Sequence, residues 1–291
     1  MHPGEPHAEG LHRRAEDENV TAAAEPATRL SGSGAYWDGV AGEWSRRGDL
    51  GAWRMVSDAV NRDLIERWLP PAPDGHVLKT DLFDELVGRG LVDTLLESFG
   101  DVSGIDVSAT LVDLVRERYP RLDARVADIR ELPFDDSTFA AVVSNSTLDH
   151  FASRREIAAS LTEINRVLRP GGALLVTLDN GMNPVIAARN AMPADWRDAT
   201  GLVPYAVGAT CRRPRDLRVL LEGAGFEVLQ LGAVLHCPRV IGVLVGRAVD
   251  RRGSTRARQG YVRILVGFER LSRLPTRYVT GHFVAALARR R

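Results

Sequence analysis

The sequence predicts an α/β fold, a doubly wound and mostly parallel sheet with helices on both faces. Three observations carry that prediction. Short apolar runs recur between Val102 and Thr177, each closed by a polar residue where an open α/β sheet binds ligands. A helical segment separates the third run from the fourth. The break Arg169-Pro170-Gly171-Gly172 then ends that helix before the next strand.

Residues 1 to 34 are rich in Ala, Glu, Gly and His and hold almost no large apolar side chain, so they are expected to form a disordered tail. Residues 35 to 75 read as a helical lid segment. Tyr36, Trp37 and Trp44 are its candidates for covering a site, Tyr36 and Trp37 against substrate. A helix follows from Leu50 to Leu69, with Trp53, Val56, Val60, Leu64 and Trp68 at core spacing, and Pro70-Pro71 stops it.

The main domain is expected over residues 76 to 291. Its strands are Val77-Leu78-Lys79, Val102 to Val107, Ala124 to Ile129, Phe139 to Asn145, Ala173 to Thr177, a strand ending near Leu235, and a last one from Gly281 to Ala288. The helix over Arg154 to Leu168 precedes the fifth of these. A basic insertion at residues 238 to 277 precedes the last.

The run Asp128-Ile129-Arg130-Glu131-Leu132-Pro133-Phe134-Asp135-Asp136-Ser137-Thr138-Phe139, then Ser144 to Phe151, then Glu163-Ile164-Asn165-Arg166-Val167-Leu168-Arg169-Pro170-Gly171-Gly172, resembles the class I S-adenosylmethionine-dependent methyltransferases, small-molecule branch. The likeness spans roughly residues 76 to 236 and the closing strand. It implies a Rossmann-like, seven-stranded sheet with a helical cap insertion before the last strand, and S-adenosyl-L-methionine as cofactor.

Asp106 ends the second strand, where a carboxylate can accept both ribose hydroxyl hydrogens. By the resemblance, Asp128 accepts from the adenine amino group while the Ile129 N–H donates to a ring nitrogen, and Val107 and Asn145 complete that side of the cofactor site. Asp106 and Asp128 are also ordinary residues for helix caps and turns.

The first strand departs from the family pattern. Lys79 stands where an acid is usual, and Asp81, Phe83 and Glu85 replace the glycines of the turn. Lys79 is the one lysine beside 37 arginines. Its ammonium either binds the cofactor carboxylate, with Asp81 or Asp84 facing the cofactor amino group, or forms a structural ion pair. A third reading is that this strand no longer binds S-adenosylmethionine.

For chemistry, the resemblance places Asp149 and His150 near the methyl group, and His150 is the candidate base for an acceptor proton. Their alternative is a helix cap and a packed imidazole. Asp179 and Asn180 follow the next strand as candidate substrate contacts, with Asn183 beside them, or else they form a turn before Pro184.

Composition narrows the classes. The chain has 291 residues, 44% hydrophobic, enough for a full core. Cys211 and Cys237 have neither disulfide-framework nor metal-ligand spacing, so no metal is expected and the cytoplasm is the expected compartment. No apolar run is long enough for a transmembrane segment and no signal pattern opens the chain.

Net charge is zero, yet Asp74 to Asp149 holds sixteen acids against seven bases, whereas Arg239 to Arg277 holds ten arginines against Asp250 and Glu269. The acidic part suits a cationic cofactor. The basic part contains amphipathic segments at Val240 to Val249 and Tyr261 to Leu274, with Tyr261, Ile264, Leu265, Phe268 and Leu271 sharing a face. It packs across the sheet end, covers substrate, or touches a membrane surface peripherally. Nucleic acid is not an expected partner, because no aromatic interleaving or RNA-binding motif accompanies the arginines. The expected activity is methyl transfer to an oxygen or nitrogen of a small-molecule acceptor in specialised metabolism. Its rival is a non-catalytic or repurposed methyltransferase fold. Oligomeric state has no signal in the sequence.

Overall fold

The computed structural model describes residues 34–47, 51–193, 208–209 and 211–291. The tail expected over residues 1 to 34 therefore lies outside the described residues, except for Gly34, which starts the first helix.

The described chain opens with α1 (Gly34–Arg47) and α2 (Gly51–Trp68). It continues through β1 (Ala72–Lys79), α3 (Phe83–Val87), α4 (Val92–Ser98), β2 (Phe99–Asp106), α5 (Ala109–Arg118), β3 (Asp123–Val126) and β4 (Phe139–Asn145). After a 3-10 turn at Leu148–His150 come α6 (Arg154–Val167), β5 (Leu168–Asp179), α7 (Pro184–Ala191), α8 (Pro214–Gly223) and β6 (Phe226–Val234). The insertion forms α9 (Arg239–Arg252), α10 (Thr255–Val266), a 3-10 segment at Gly267–Arg273 and α11 (Arg277–Thr280), before β7 (Phe283–Arg290) closes the sheet.

The seven strands lie in the order β3-β2-β1-β4-β5-β7-β6. Pairings from β3 through β5 are parallel, and β7 runs antiparallel to both β5 and β6. Strand order reverses between β1 and β4, which opens a crevice at the carboxyl ends of those strands.

Burial on both faces explains the continuous apolar runs. Val77, Val143, Leu175 and Leu287 face one core with Trp53, Val56 and Leu64 of α2 and Leu111 and Val115 of α5. Leu78, Val142, Leu174 and Ala288 face the other, beneath Ile157, Leu161 and Ile164 of α6 and Leu217 and Leu221 of α8.

Local chemistry sets several element ends. Ser153 caps α6 in a reciprocal capping box with Glu156, and Ser108 caps α5 by accepting from the Leu111 N–H. Helix α6 ends at Val167, and β5 begins at Leu168 rather than after the Pro-Gly-Gly break. The break is absorbed instead as a register shift between β4 and β5, at the strand's entry where a proline is tolerated.

Helices α9 and α10 stack as an outer layer on α2, with Tyr261 donating its hydroxyl hydrogen to the Gly242 carbonyl at 2.7 Å, and Glu269 of the 3-10 segment accepts from the Leu235 and His236 N–H groups just past the end of β6. The helical face predicted for Tyr261 to Leu271 is only partly buried. Tyr261 is enclosed and Leu265 and Phe268 are half-buried, whereas Ile264, at the margin of that face, is 67% exposed. Among the described residues no helix is long and apolar enough to cross a membrane.

Candidate cofactor and acceptor site

The residues that end β1, β2, β4 and β5 are joined edge to edge by hydrogen bonds. At β2, both Asp106 oxygens accept backbone N–H groups, Oδ1 from Ser108 at 2.9 Å and Oδ2 from Leu82 at 3.0 Å. Burial pushes the Asp106 carboxyl above its ordinary value, and those amide bonds oppose the shift. Two N–H donors leave lone pairs on each oxygen, so ribose hydroxyls still have acceptors there.

Between β1 and α3 the chain makes an unusual turn. Lys79 is wholly buried, with its ammonium 2.9 Å from Glu85 Oε2, 3.4 Å from Asp81 Oδ1 and 2.6 Å from the Asp81 carbonyl oxygen. Burial alone would lower its pKa, but Asp81 and Glu85 hold it above the ordinary lysine range. Glu85 is also fully enclosed and accepts from the Leu91 N–H at 2.8 Å. Leu82 fills the space over β2: a Cβ added at Gly104 would meet its Cδ2 at 2.6 Å.

Of the two readings for Lys79, its contacts are those of the structural ion pair. Its ammonium turns into the protein because two carboxylates and a carbonyl surround it there. Asp81 keeps a partly exposed carboxylate, with Oδ2 accepting from Thr147 Oγ1 at 3.2 Å. Burial, partly offset by Lys79 and reinforced by Asp84, raises its pKa to about 7.

The end of β4 holds the least satisfied polar groups. Asn145 is 6% exposed, and neither its Oδ1 nor its Nδ2 has a partner among the described residues. Next to it Ser146 has φ 52°, the left-handed region that costs a residue with a Cβ about 1 kcal/mol or more. Its hydroxyl donates to Asp149 Oδ2 at 2.9 Å, and the Asp179 N–H donates to the same oxygen at 3.1 Å. Asp149 Oδ1 is buried without a partner among the described residues. Burial, with Asp179 close by, raises the Asp149 carboxyl and favours its protonated form.

His150 is half-buried, and the edge of Trp37 meets its ring at 4.9 Å. Tyr36 meets Trp37 in turn at 5.2 Å. Helix α1 thus lies over the carboxyl ends of the strands. Asp38 fastens it there, accepting from Ser108 Oγ at 2.6 Å and from the Thr110 N–H at 3.0 Å. Asp38 carried no signal in the sequence, since one acid in an aromatic segment has no periodic partner.

Other expected residues are more occupied. Burial raises the Asp128 carboxyl, but bonds from Arg130 outweigh it and leave it below the usual range. Arg130 Nη2 sits 2.6 Å from Asp128 Oδ2, and its Nη1 reaches Glu156 at 2.8 Å. Ile129 is 3% exposed. Asp179 pairs with Arg189 at 2.5 Å, a partner ten residues on that the sequence reading missed.

The contacts of Asn180 are those of the turn reading. Its amide donates to the Tyr278 and Gly281 carbonyls, and its Oδ1 accepts from the Met182 N–H, so every polar atom is engaged in holding the turn against β7. Asn183 caps α7. Val107 follows Asp106 at the end of β2 and is half-buried beside Ser108, where α1 is fastened.

Known proteins agree with this geometry. A family model described as a methyltransferase domain matches residues 86–176, beginning just after the atypical β1 turn. A protein named as an S-adenosylmethionine-dependent methyltransferase of Mycolicibacterium smegmatis is 30% identical over 193 residues, 66% of this chain and 63% of that one. An O-methyltransferase of Pyrenophora dematioidea is 28% identical over 236 residues, covering 77% of this chain and 79% of its own. Among solved structures, a methyltransferase in complex with the Trm112 activator of Haloferax volcanii superposes with TM-score 0.53 at 18% identity, covering 90% of this chain and 96% of that one. The fold is that of a Rossmann-like methyltransferase. Residues 86–176 carry the methyltransferase domain of the class I S-adenosylmethionine-dependent methyltransferases. The chain spans under two thirds of the length of its mycobacterial relative.

Proposed function

We propose that this protein transfers the methyl group of S-adenosylmethionine to an oxygen or nitrogen of a small-molecule acceptor. The observation that carries the reading is a set of buried polar atoms without a partner among the described residues, both side-chain atoms of Asn145 and Oδ1 of Asp149, near the carboxyl-end crevice where the strand order reverses. Buried polar atoms without partners are rare, and beside a crevice they fit a polar ligand. An oxygen acceptor is supported by the O-methyltransferase relative.

The residues fit the cofactor. Asp106 accepts from ribose hydroxyls, Asp81 and Asp106 face its cationic end with negative charge, and Asp128 with the Ile129 backbone takes the adenine edge once Arg130 yields one bond. Bound S-adenosylmethionine supplies a methyl group already activated on a sulfonium. The chain's own task is alignment and proton removal. Helix α1 shuts water out through Tyr36 and Trp37, and His150 accepts the acceptor's proton where there is one. Asp149 turns its Oδ1, which has no partner among the described residues, to a polar group of the ligand. Asp179, joined to Arg189, fixes the neighbouring wall.

A second reading rests on one observation, the buried Lys79–Glu85 pair and Leu82 in place of a glycine turn, which would suit a methyltransferase fold that holds a different ligand. Calorimetry separates the two. S-adenosylmethionine and S-adenosylhomocysteine are both expected to bind, and Asp106→Ala is expected to weaken the latter by about 1.5 to 3 kcal/mol, together with a lower melting temperature because the Ser108 and Leu82 N–H groups lose their acceptors. Absence of binding of either ligand to the wild type would favour the second reading.

Titration of Asp81 adds a pH dependence. Its folded pKa of about 7 lies above the ordinary 3.8, so its protonated form stabilises the fold at low pH, and that contribution is lost as pH rises from about 4 to about 7. Binding of a cation needs the ionised form, so sulfonium affinity is expected to rise with pH up to about 7 and then level off. Calorimetric titrations from about pH 5 to pH 8 check this, and a flat profile removes Asp81 from the cofactor's cationic end.

A further inference from the structure

Helix α9 of the basic insertion turns an apolar arc outward. Helix α9 meets α2 through Gly242 and Gly246: a Cβ at Gly242 would lie 2.8 Å from the Trp53 ring, and one at Gly246 would lie 2.9 Å from the Tyr261 hydroxyl. The small residues are thus spent on close approach, and the branched ones are left over. Val240, Ile241, Leu244 and Val245 are 55%, 61%, 59% and 46% exposed, and at 100° per residue they cover one arc of the helix opposite the glycines.

The charge on that outer layer is of one sign. Arg247 and Arg251 are exposed on α9, as are Arg256, Arg263, Arg270 and Arg273 on the elements that follow. Both acids of the insertion are turned inward. Asp250 accepts from the Ala52 N–H at the start of α2 and from Arg258 Nε, each at 3.1 Å. Glu269 accepts from the Leu235 and His236 N–H groups at 3.3 and 2.8 Å.

We propose that α9 and the arginines around it form a docking face for an anionic lipid surface. A single convex helix with an apolar arc and cationic neighbours matches an interfacial helix, whose apolar side enters the headgroup boundary while arginines meet phosphates. A second copy of the chain is a poor occupant, because a two-fold contact would set this cationic face against itself. An acidic protein would need a groove shaped to the ridge, whereas a bilayer conforms to it. The inference is independent of the methyl-transfer reading. It places the enzyme at a membrane surface, where an amphiphilic acceptor would be concentrated.

The test is co-sedimentation of the full chain with vesicles of phosphatidylcholine alone and of phosphatidylcholine mixed with phosphatidylglycerol. The wild type is expected to bind the mixed vesicles, to release as salt rises, and to ignore the neutral ones. Ile241→Asp with Leu244→Asp, and separately Arg247→Glu with Arg251→Glu, are each expected to lower partitioning at least about tenfold with adenosylhomocysteine affinity unchanged. All four positions are solvent-facing, and the melting temperature checks that each variant folds. Absence of binding to anionic vesicles, equal binding to both compositions, or variants that bind like the wild type would overturn the proposal. So would a wild-type dimer that either variant dissociates.

Discussion

Replacing Lys79 by methionine is expected to destabilise the fold by about 3 to 5 kcal/mol, because it leaves the Glu85 carboxylate enclosed without its counter-charge. Both side chains are fully buried and 2.9 Å apart, so water cannot replace the missing ammonium without opening α3. The double variant Lys79→Met with Glu85→Gln is expected to recover most of the loss. Glutamine is neutral, and its carbonyl oxygen can still accept from the Leu91 N–H. Urea unfolding of the three proteins measures both effects, and a single-variant loss below about 1 kcal/mol would place the pair in a surface-like setting. The double variant also isolates cofactor binding from folding. If the ammonium held the cofactor carboxylate, adenosylmethionine and adenosylhomocysteine would both bind about 1.5 to 3 kcal/mol more weakly to it. The inward geometry of Lys79 predicts that both affinities stay near wild type.

How much the sequence disclosed depended on whether a signal was periodic. Val142-Val143 and Leu174-Leu175-Val176 are apolar on successive positions because parallel strands are buried on both faces, and that pattern needs no knowledge of partners. Asp106 was legible for a similar reason: a carboxylate at a strand's carboxyl end points to one place in an α/β sheet. Pairings made by turns carry no such period. Lys79 meets Glu85 six residues on, through a strand-to-helix corner, and Arg130 reaches back two residues to take Asp128. For Asn180 the carbonyls that accept both its amide hydrogens come from Tyr278 of α11 and from Gly281, about a hundred residues later in the chain. In α9 the apolar residues marked an amphipathic segment without showing which side packs, because Gly242 and Gly246 are the positions that allow α2 and Tyr261 to come close.

The second large effect is expected at His150. Its half-buried ring, met by the edge of Trp37, follows Asp149 in the turn after β4 and is a proton-accepting group there. His150→Ala is expected to slow methyl transfer to a phenol or other protonated acceptor by about a hundredfold, with adenosylhomocysteine affinity unchanged. Trp37→Phe keeps an aromatic edge against the imidazole and is expected to cost far less, which separates proton transfer from packing. The acceptor sets the size of the effect. With an amine already neutral at the assay pH there is no proton to remove before attack, so the same His150→Ala substitution should cost only what the cavity beneath Trp37 costs. Single-turnover rates with one acceptor of each kind decide the matter. Equal losses on both would make His150 a packing residue, whereas a loss confined to the protonated acceptor identifies it as the base.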